Sequence, residues 1–270
     1  MGVFDNFLSG FKKNTSKSKP NAKVIAPNKV KEPNDTEVAD AEVTNDVVKI
    51  KPELPSVGMH GFIGEVARNL SQGTEAISAF LAAELITYLS VAIKRGFVKT
   101  PYGAQSTVPR INALLVAKTG VGKGISSGQL KALKETLSDV SIMPQEHSGG
   151  LSSPEGLINA IKDDEGDESG QTEKGTKDKR LLVVEEEFAN IIFQSSKPGS
   201  NLSTIIRILF DGGQLKPLTK YNQIGVREPH VAIFAHITPE ELVARLQKID
   251  LSNGFLNRFP IFFGSMQPSV

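Results

Sequence analysis

The chain has 270 residues, 39% of them hydrophobic, which is enough for a sizeable core in one large domain or two smaller ones. Its 31 Lys and Arg residues nearly balance its 30 Asp and Glu residues, so no overall field points to a nucleic acid or a membrane surface. The sequence contains no cysteine, which excludes disulfides and thiolate metal sites and fits a cytoplasmic protein. The most apolar helix candidate, Ala76 to Ile93, includes Glu84 and several hydroxyl residues, which favours a buried helix over a membrane span.

Residues 1–51 are predicted to form a disordered arm. Most of this arm, from Lys12 to Lys51, is rich in Lys, Asn, Pro, Asp, Glu and Thr and has almost no aromatic residues. Such a composition cannot bury enough apolar surface to offset the entropy lost on ordering. Ahead of it lie four apolar residues at helical spacing, which suit either a frayed end or a short docking helix: Phe4, Phe7, Leu8 and Phe11.

After the arm, the hydrophobic pattern predicts a helical segment over residues 52–110, packed on a core formed by residues 111–270. Helical periodicity is found at Phe62 to Leu70, Glu75 to Arg95 with Thr74 as its cap, Ser126 to Leu137, Pro154 to Ile161, Phe188 to Phe193, Leu202 to Phe210 and Glu240 to Leu246. Short apolar runs predict strands at Ile111 to Ala117, Leu181 to Val184 and Val231 to Ala235, with a strand or loop at Val140 to Met143. This alternation predicts an α/β fold, a mostly parallel sheet with flanking helices.

Two stretches between these elements are predicted to be connections. Phe97 to Pro109 has the Gly, Pro and Thr content of a turn-rich segment. Lys162 to Arg180 is highly charged and contains Gly and Ser, and its charges alternate in sign. We expect it to form a solvated surface loop that does not contact nucleic acid.

The junction between the first predicted strand and the next helix has the pattern of a phosphate-binding loop. It consists of Ala117, Lys118, Thr119, Gly120, Val121, Gly122, Lys123 and Gly124, followed by Ile125 and Ser126. A strand, a Gly-rich turn and a helix suit a nucleotide phosphate, because backbone amides and the helix N-terminus face the anion and a lysine neutralises it. The competing interpretation is an ordinary Gly-rich turn that carries a surface lysine.

This loop resembles a Walker A motif with two departures. Ala117 stands in place of the first glycine, and Gly124 stands in place of the Ser or Thr that binds magnesium. Ser126, Ser127 or Thr119 can supply the missing hydroxyl, and nothing in the pattern alone chooses among the three.

Three consecutive glutamates follow the second predicted strand. Carboxylates at the carboxyl end of a buried strand lie where open α/β sheets bind their ligands. By spacing, Glu185 takes a magnesium-binding role and Glu186 positions the attacking water, with Glu187 as a rival for the second role. The competing interpretation is a helix whose N-terminus is stabilised by acidic residues.

The third predicted strand ends in His236 and Thr238, and an arginine follows a glycine turn near the end of the chain. His236 at that position can sense a terminal phosphate or orient water, although a lone histidine is also a common structural residue. Arg258, flanked by apolar residues, suits a cation presented to a neighbouring active site, with a local structural pairing as the alternative. Arg207 is a second candidate for either role. The histidines are scattered and have no metal-ligand spacing.

Several motifs in fixed order resemble a family of phage, plasmid and integrative-element replication ATPases, many of which are known only as a domain of unknown function or as the helicase part of primase–helicases. The motifs are Glu155 to Ile158, Asp178 to Ala189, Leu202-Ser203, Arg207, Asp211 to Gly213, Leu218 to Lys220, His236 to Leu242 and Asn253 to Phe259. The resemblance covers roughly Leu54 to Phe263. Members often carry Lys-Gly-Thr-Ser after the loop, which is similar to Lys123 to Ser126 here and supports Ser126 as the replacement hydroxyl.

The resemblance implies a P-loop NTPase core of the RecA- or AAA-like kind. It further implies ATP and Mg²⁺ as cofactors, a homo-oligomeric ring, single-stranded DNA as a partner and a helicase or helicase-like activity. Relatives usually continue past the arginine motif, so a truncated member, or a minimal ATPase that works with separate replication proteins, is also implied. The rival hypotheses are a nucleotide-binding loader or regulator without efficient hydrolysis, and a catalytically dead interaction module. No membrane partner is expected.

Overall fold

The computed structural model describes residues 54–137, 142–166, 172–216, 224–246 and 253–265. The predicted arm at residues 1–51 lies outside the described residues, and so does half of the strand or loop predicted at Val140 to Met143. Within the described parts of the chain, none of the helices is long and apolar enough to cross a membrane.

The described residues form seven helices and nine strands, with short 3₁₀ turns at Ser56–Gly58 and Leu256–Arg258. The helices are α1 (Gly61–Ser71), α2 (Ser78–Ala92), α3 (Lys123–Glu135), α4 (Pro154–Ala160), α5 (Phe188–Ser195), α6 (Leu202–Asp211) and α7 (Pro239–Arg245). The strands are β1 (Thr100–Tyr102), β2 (Gln105–Thr107), β3 (Ala113–Val116), β4 (Gln145–Ser148), β5 (Glu165–Gly166), β6 (Thr172–Glu173), β7 (Arg180–Glu185), β8 (His230–Ile237) and β9 (Ile261–Phe263).

Five strands form one parallel sheet in the order β4-β7-β8-β3-β9. The register places Glu185 of β7 beside Ala235 of β8, and His236 of β8 beside Leu115 of β3. The central strands are apolar on both faces because helices cover both faces, and every residue of β3 and β8 is buried. The predicted α/β fold with a mostly parallel sheet and flanking helices is therefore confirmed.

The helices cover the two faces unequally. On one face α2 packs against the sheet, with Phe80 and Val91 against Ala113, Leu115 and Phe234. On the other face α4, α5, α6 and α7 share a larger core with the remaining strand residues. Helices α1 and α3 pack on the outer side of α2, so the predicted helical segment is part of the wall that encloses the sheet.

Helix α2 differs from the prediction at its start. It begins at Ser78, not at Glu75, and its N-cap Ile77 makes no side-chain cap. Thr74 is therefore not the cap. Its hydroxyl instead accepts a hydrogen bond from the Ala76 amide at 3.1 Å, within the turn that leads into the helix.

The other differences concern short or polar elements. The connection predicted at Phe97 to Pro109 contains an antiparallel β1–β2 pair, and the predicted surface loop at Lys162 to Arg180 contains the β5–β6 pair. Strands β4 and β9 were not predicted, since β4 consists of exposed polar residues and β9 has three residues. Helix α3 begins at Lys123, three residues before the predicted start.

Helix α2 carries a buried carboxylate. Glu84 is 5% exposed, and it accepts a hydrogen bond from the Ser127 hydroxyl of α3 at 3.1 Å. Burial raises the pKa of Glu84 to about 7, against the smaller opposing effects of that hydrogen bond and of Lys134. The stability of the fold is thus coupled to the protonation of this carboxyl group.

Replacing Glu84 with glutamine should remove a pH dependence of stability. The folded chain keeps a proton that the unfolded chain loses above pH 4.5, so the free energy of unfolding falls as pH rises from 4.5 to about 7. In urea unfolding of the wild type, the free energy of unfolding should be lower at pH 8 than at pH 5 by a value on the order of 3 kcal/mol. Glu84→Gln keeps an acceptor for Ser127 but no titrating group, so its free energy of unfolding should fall much less over the same pH range. An equal loss in both proteins would contradict this assignment.

Candidate functional site

The loop between β3 and α3 begins at the carboxyl ends of the parallel strands, which we call the carboxyl edge of the sheet; their amino ends form the amino edge. Its first residue, Ala117, is buried, and the Ala117 amide donates to the Ile237 carbonyl of β8 at 3.2 Å. Gly120 and Gly122 have φ angles of 79° and 73°, a left-handed conformation that L-residues rarely adopt. Gly122 is the N-cap of α3, so Lys123 is the first residue of the helix. The backbone therefore turns sharply and presents a helix N-terminus at the edge of the sheet.

This loop is packed tightly against the chain that leads into α2. A Cβ on Gly122 would lie 2.1 Å from the Glu75 carbonyl oxygen, so only glycine fits there. The Ser126 hydroxyl donates to the Gly122 carbonyl and accepts from the Ile77 amide, both at 3.0 Å. The start of α2 and the start of α3 are thus held together by one side chain and one close backbone contact.

These bonds bear on the predicted hydroxyl for magnesium. Ser126 is fully buried, and its hydroxyl is committed to Ile77 and Gly122. A magnesium role for Ser126 would require this pair of bonds to be exchanged. Of the alternatives, Ser127 donates to Glu84, whereas Thr119 is exposed in the loop itself. In this structure Thr119 is the accessible hydroxyl of the three.

Lys123 bends back over the loop. Its Nζ donates to the Ala117 carbonyl at 2.8 Å, which joins the two ends of the loop. Burial lowers the pKa of Lys123, and the nearby carboxylates of Glu241 and Glu240 oppose that shift. Both glutamates lie in the first turn of α7, which follows β8. The ammonium therefore stands between the loop and the carboxyl end of the neighbouring strand.

His236 lies next to this lysine at the end of β8. It is 6% exposed, its ring packs edge-on against Phe234 at 5.1 Å, and its buried Nε2 has no hydrogen-bond partner among the described residues. Burial, with a smaller contribution from the charge of Lys123, lowers the pKa of His236 to about 4. The ring is therefore neutral at pH 7. The structure brings the predicted residues His236 and Lys123 together.

The three glutamates after β7 have different environments. Glu185 is 4% exposed, and its carboxylate accepts from the Leu151 amide at 2.9 Å and from the Glu187 amide at 3.4 Å. It thereby holds the segment between β4 and α4 against the sheet. Glu186 and Glu187 are exposed, and Glu187 is the N-cap of α5 without a side-chain capping bond. The two exposed carboxylates are the ones open to a ligand.

Both candidate arginines make local contacts at some distance from the loop. Arg258 pairs with Asp211 through its Nη2 at 2.6 Å and its Nε at 3.3 Å, and its Nη1 donates to the Gly254 carbonyl. It precedes β9, which runs parallel to β3, so it lies at the amino edge of the sheet, opposite the loop. Arg207 donates to the Asn253 carbonyl at 2.9 Å and is a structural residue here.

The sequence did not reveal two features of this site: the acidic residues near Lys123, and the packing of Glu75 to Ile77 against Gly122 and Ser126. The pattern Thr238-Pro239-Glu240-Glu241 signals a helix start, and Thr238 does cap α7 by accepting from the Glu241 amide at 3.2 Å. That pattern does not indicate that the first turn of α7 lies near Lys123. Within the described residues, no group of three or more His, Asp or Glu side chains is arranged to hold a metal ion.

Comparison of the chain with models of protein families found no match, and comparison with curated proteins found no similar sequence. The resemblance to replication ATPases therefore rests on the motifs themselves. What the geometry adds is a short constellation at one edge of the sheet: a glycine loop, Lys123 at a helix start and a neutral buried His236.

Replacing Ser126 with alanine should destabilise the fold even without nucleotide or metal. The substitution removes the hydrogen bond from the Ile77 amide that joins the starts of α2 and α3, together with the bond to the Gly122 carbonyl within α3. The free energy of unfolding should fall by about 1–3 kcal/mol. Thr119→Ala removes an exposed hydroxyl from the same loop and should change stability by less than about 0.5 kcal/mol. Equal stability of the two variants in urea unfolding would contradict the structural role of Ser126.

Proposed function

We propose that this chain is an ATP-hydrolysing P-loop domain of a mobile-element DNA replication protein, a helicase or helicase-like motor that uses ATP and Mg²⁺. The observation that carries the proposal is the loop from Ala117 to Gly124, with Lys123 opening α3 at the carboxyl end of a buried parallel strand. Left-handed glycines, a helix N-terminus and a lysine suit a triphosphate because each favours its negative charge.

The order of the strands supports this proposal. One strand, β8, separates the strand that carries the loop from the strand that ends in the glutamates. This order leaves the carboxyl end of β8 between the lysine loop and the glutamates, where an open parallel sheet can bind a ligand. Two strand spacings place the ends of β3 and β7 about 10 Å apart across the sheet, with His236 between them. That gap leaves room for the terminal phosphates.

The proposed roles follow from the positions of the side chains. Lys123 exchanges its bond to the Ala117 carbonyl for a phosphate oxygen, and the amides from Thr119 to Gly124 surround the phosphates. Glu186 or Glu187 positions the attacking water, because both carboxylates are exposed. Neutral His236 offers a ring nitrogen to that water or to the terminal phosphate. Magnesium would neutralise charge on the phosphates, held by the exposed Thr119 hydroxyl and by Glu185 once that carboxylate exchanged its bonds to the Leu151 and Glu187 amides.

The position of Arg258 supports a role for this residue at the boundary between two subunits. Lys123 and Arg258 lie at opposite edges of one sheet, so Arg258 cannot reach the loop of its own chain. It can reach the loop of a second copy only if the copies meet head to tail. Such a contact is heterologous and generates rings or filaments. A homo-oligomeric ring in which Asp211 orients Arg258 toward a neighbour fits this geometry.

A second function, nucleotide binding without efficient hydrolysis, is favoured by one observation. Gly124 lacks the hydroxyl that binds magnesium in a Walker A loop, and the nearby Ser126 hydroxyl is buried and bonded elsewhere. A loop that holds phosphate but positions its metal poorly would bind ATP and turn it over slowly. A loader or regulator has those properties.

Lys123→Ala should abolish ATP hydrolysis, and Lys118→Ala provides a matched control in the same loop. Loss of a charge directed at the phosphates should lower the rate by about a hundredfold or more. Lys118 is exposed and should be dispensable. Steady-state hydrolysis and nucleotide binding are measured with and without single-stranded DNA. Binding that needs Lys123 but shows no turnover would favour the second function, and absence of any nucleotide binding would overturn both.

Mixing two inactive variants should restore activity if Arg258 acts on a neighbour. Arg258→Gln keeps an intact loop, and Lys123→Ala keeps an intact arginine, so a mixed ring contains some complete sites. An arginine acting in this way contributes about a thousandfold or more to the rate. Mixing Lys123→Ala with the double variant should restore nothing. A strictly monomeric protein with full activity would contradict the proposed role of Arg258.

A further inference from the structure

At the amino edge of the sheet, opposite the loop, lies a cavity of about 810 Å³. Arg180 and His230, which begin β7 and β8 and are paired in register, form part of its lining. Six lysines and arginines line it against three aspartates and glutamates, so the lining has an excess of three positive charges. The near-neutral chain therefore concentrates cations in one concave region.

The carboxylates of this cavity are each engaged by a cation. Asp163 pairs with Lys179 and Arg227 at 3.0 Å each, and Asp178 pairs with Arg180 at 2.7 Å. Glu228 is 3.7 Å from Arg95. These pairs neutralise the acids locally and fix the shape of the cavity. Lowered pKa values of Asp163 and Asp178, caused chiefly by bonds to their cation partners in opposition to burial, keep both carboxylates ionised.

Two lysines of the lining remain available to a ligand. Lys94 and Lys177 are exposed, and no ion pair between described residues engages either of them. His230 adds no charge, because burial lowers its pKa. A polyanion entering this region would therefore meet Lys177 and Lys94 without breaking an ion pair, although the charge of Lys94 also helps to lower the pKa of Asp178.

An exposed aromatic ring lies one turn after Lys94. The Phe97 amide donates to the Lys94 carbonyl at 3.2 Å, so a tight turn places Phe97 next to Lys94. Phe97 is 71% exposed and Val98 is 42% exposed, and the exposed Lys99 follows. One exposed phenylalanine is unremarkable alone. Here it lies among cations, a combination that stacks bases and neutralises phosphates in single-stranded nucleic-acid sites.

We propose that this cavity and the Lys94 to Lys99 segment bind single-stranded nucleic acid, with Lys94 and Lys177 on backbone phosphates and Phe97 stacked on a base. The proposal deepens the proposed function by giving its DNA partner a site, and it rests on that function only for its biological purpose. It revises the expectation that the Lys162 to Arg180 segment makes no contact with nucleic acid, because Lys177 belongs to that segment. Binding itself needs no ATP. It can therefore be tested whether or not the chain hydrolyses nucleotide.

The test is fluorescence anisotropy of a labelled oligothymidylate with the full chain, without nucleotide, over a range of salt concentrations. Phe97→Ala should weaken binding by about fivefold or more, since stacking contributes about 1–3 kcal/mol per base. Lys94→Gln combined with Lys177→Gln should reduce the slope of log K against log salt by about 1.4, because each phosphate contact on a single strand contributes about 0.7. All three residues are exposed, and circular dichroism checks that the variants fold.

Matched controls make the outcome decisive. Phe193→Ala removes another half-exposed phenylalanine, and Lys131→Gln with Lys197→Gln removes the same charge from exposed positions that do not line the cavity. Neither control should change affinity or salt slope beyond error. Equal losses in test and control variants, no binding by the wild type, or displacement of the oligonucleotide by inorganic pyrophosphate at stoichiometric levels would overturn the proposal. If the chain binds the oligonucleotide through Phe97 but does not hydrolyse ATP, the nucleic-acid site is supported and only the proposed ATPase function is refuted.

Discussion

Both ends of the sheet depend on the burial of α2. Eleven of its 15 residues are buried, because it lies between the sheet on one side and α1 and α3 on the other. Its start is fixed to the glycine loop between β3 and α3 by the Ser126–Ile77 bond, and its last carbonyl, that of Ala92, accepts from Arg180 Nη1 at 2.6 Å. A helix of that length is stiff and spans about 22 Å. The loop and the amino edge are therefore held at a fixed separation by one element.

Two buried hydroxyl residues within α2, Thr87 and Ser90, have definite partners, and Ser90 connects the helix to the sheet. Thr87 donates to the Ala83 carbonyl at 2.8 Å, and Ser90 donates to the Thr87 carbonyl while accepting from the Ile111 amide. Ile111 leads directly into β3, so the Ser90 side chain of α2 fixes the position at which that strand begins. Buried hydroxyls of this kind cost stability unless they are bonded, and that of Ser90 connects the helix to the strand that carries the loop.

The parts of the fold that could be predicted are those whose local pattern and final environment agree. Strands β3, β7 and β8 are apolar because both faces are covered, and the sequence shows this directly. Edge strand β4 is polar, so only its pairing with β7 identifies it. Ser126 was expected to face a metal, yet its partner Ile77 lies 49 residues away along the chain. Likewise, spacing alone could not show that Glu185 turns inward to Leu151 while Glu186 stays exposed.

The proposed nucleotide and nucleic-acid sites stand at opposite ends of α2, and this arrangement has a mechanical consequence. In the proposed function Lys123 exchanges the Ala117 carbonyl for a phosphate, which would break the bond that joins the two ends of the loop, and the Gly122–Glu75 contact would pass any resulting shift to the start of α2. A packed interior does not absorb such shifts gradually. The end of α2 continues directly into Lys94, Arg95 and the Phe97 turn, and Arg180 contacts both Ala92 and the cavity. Under the two proposals, α2 is therefore the buried element through which phosphate binding at the carboxyl edge would be coupled to nucleic-acid binding at the amino edge.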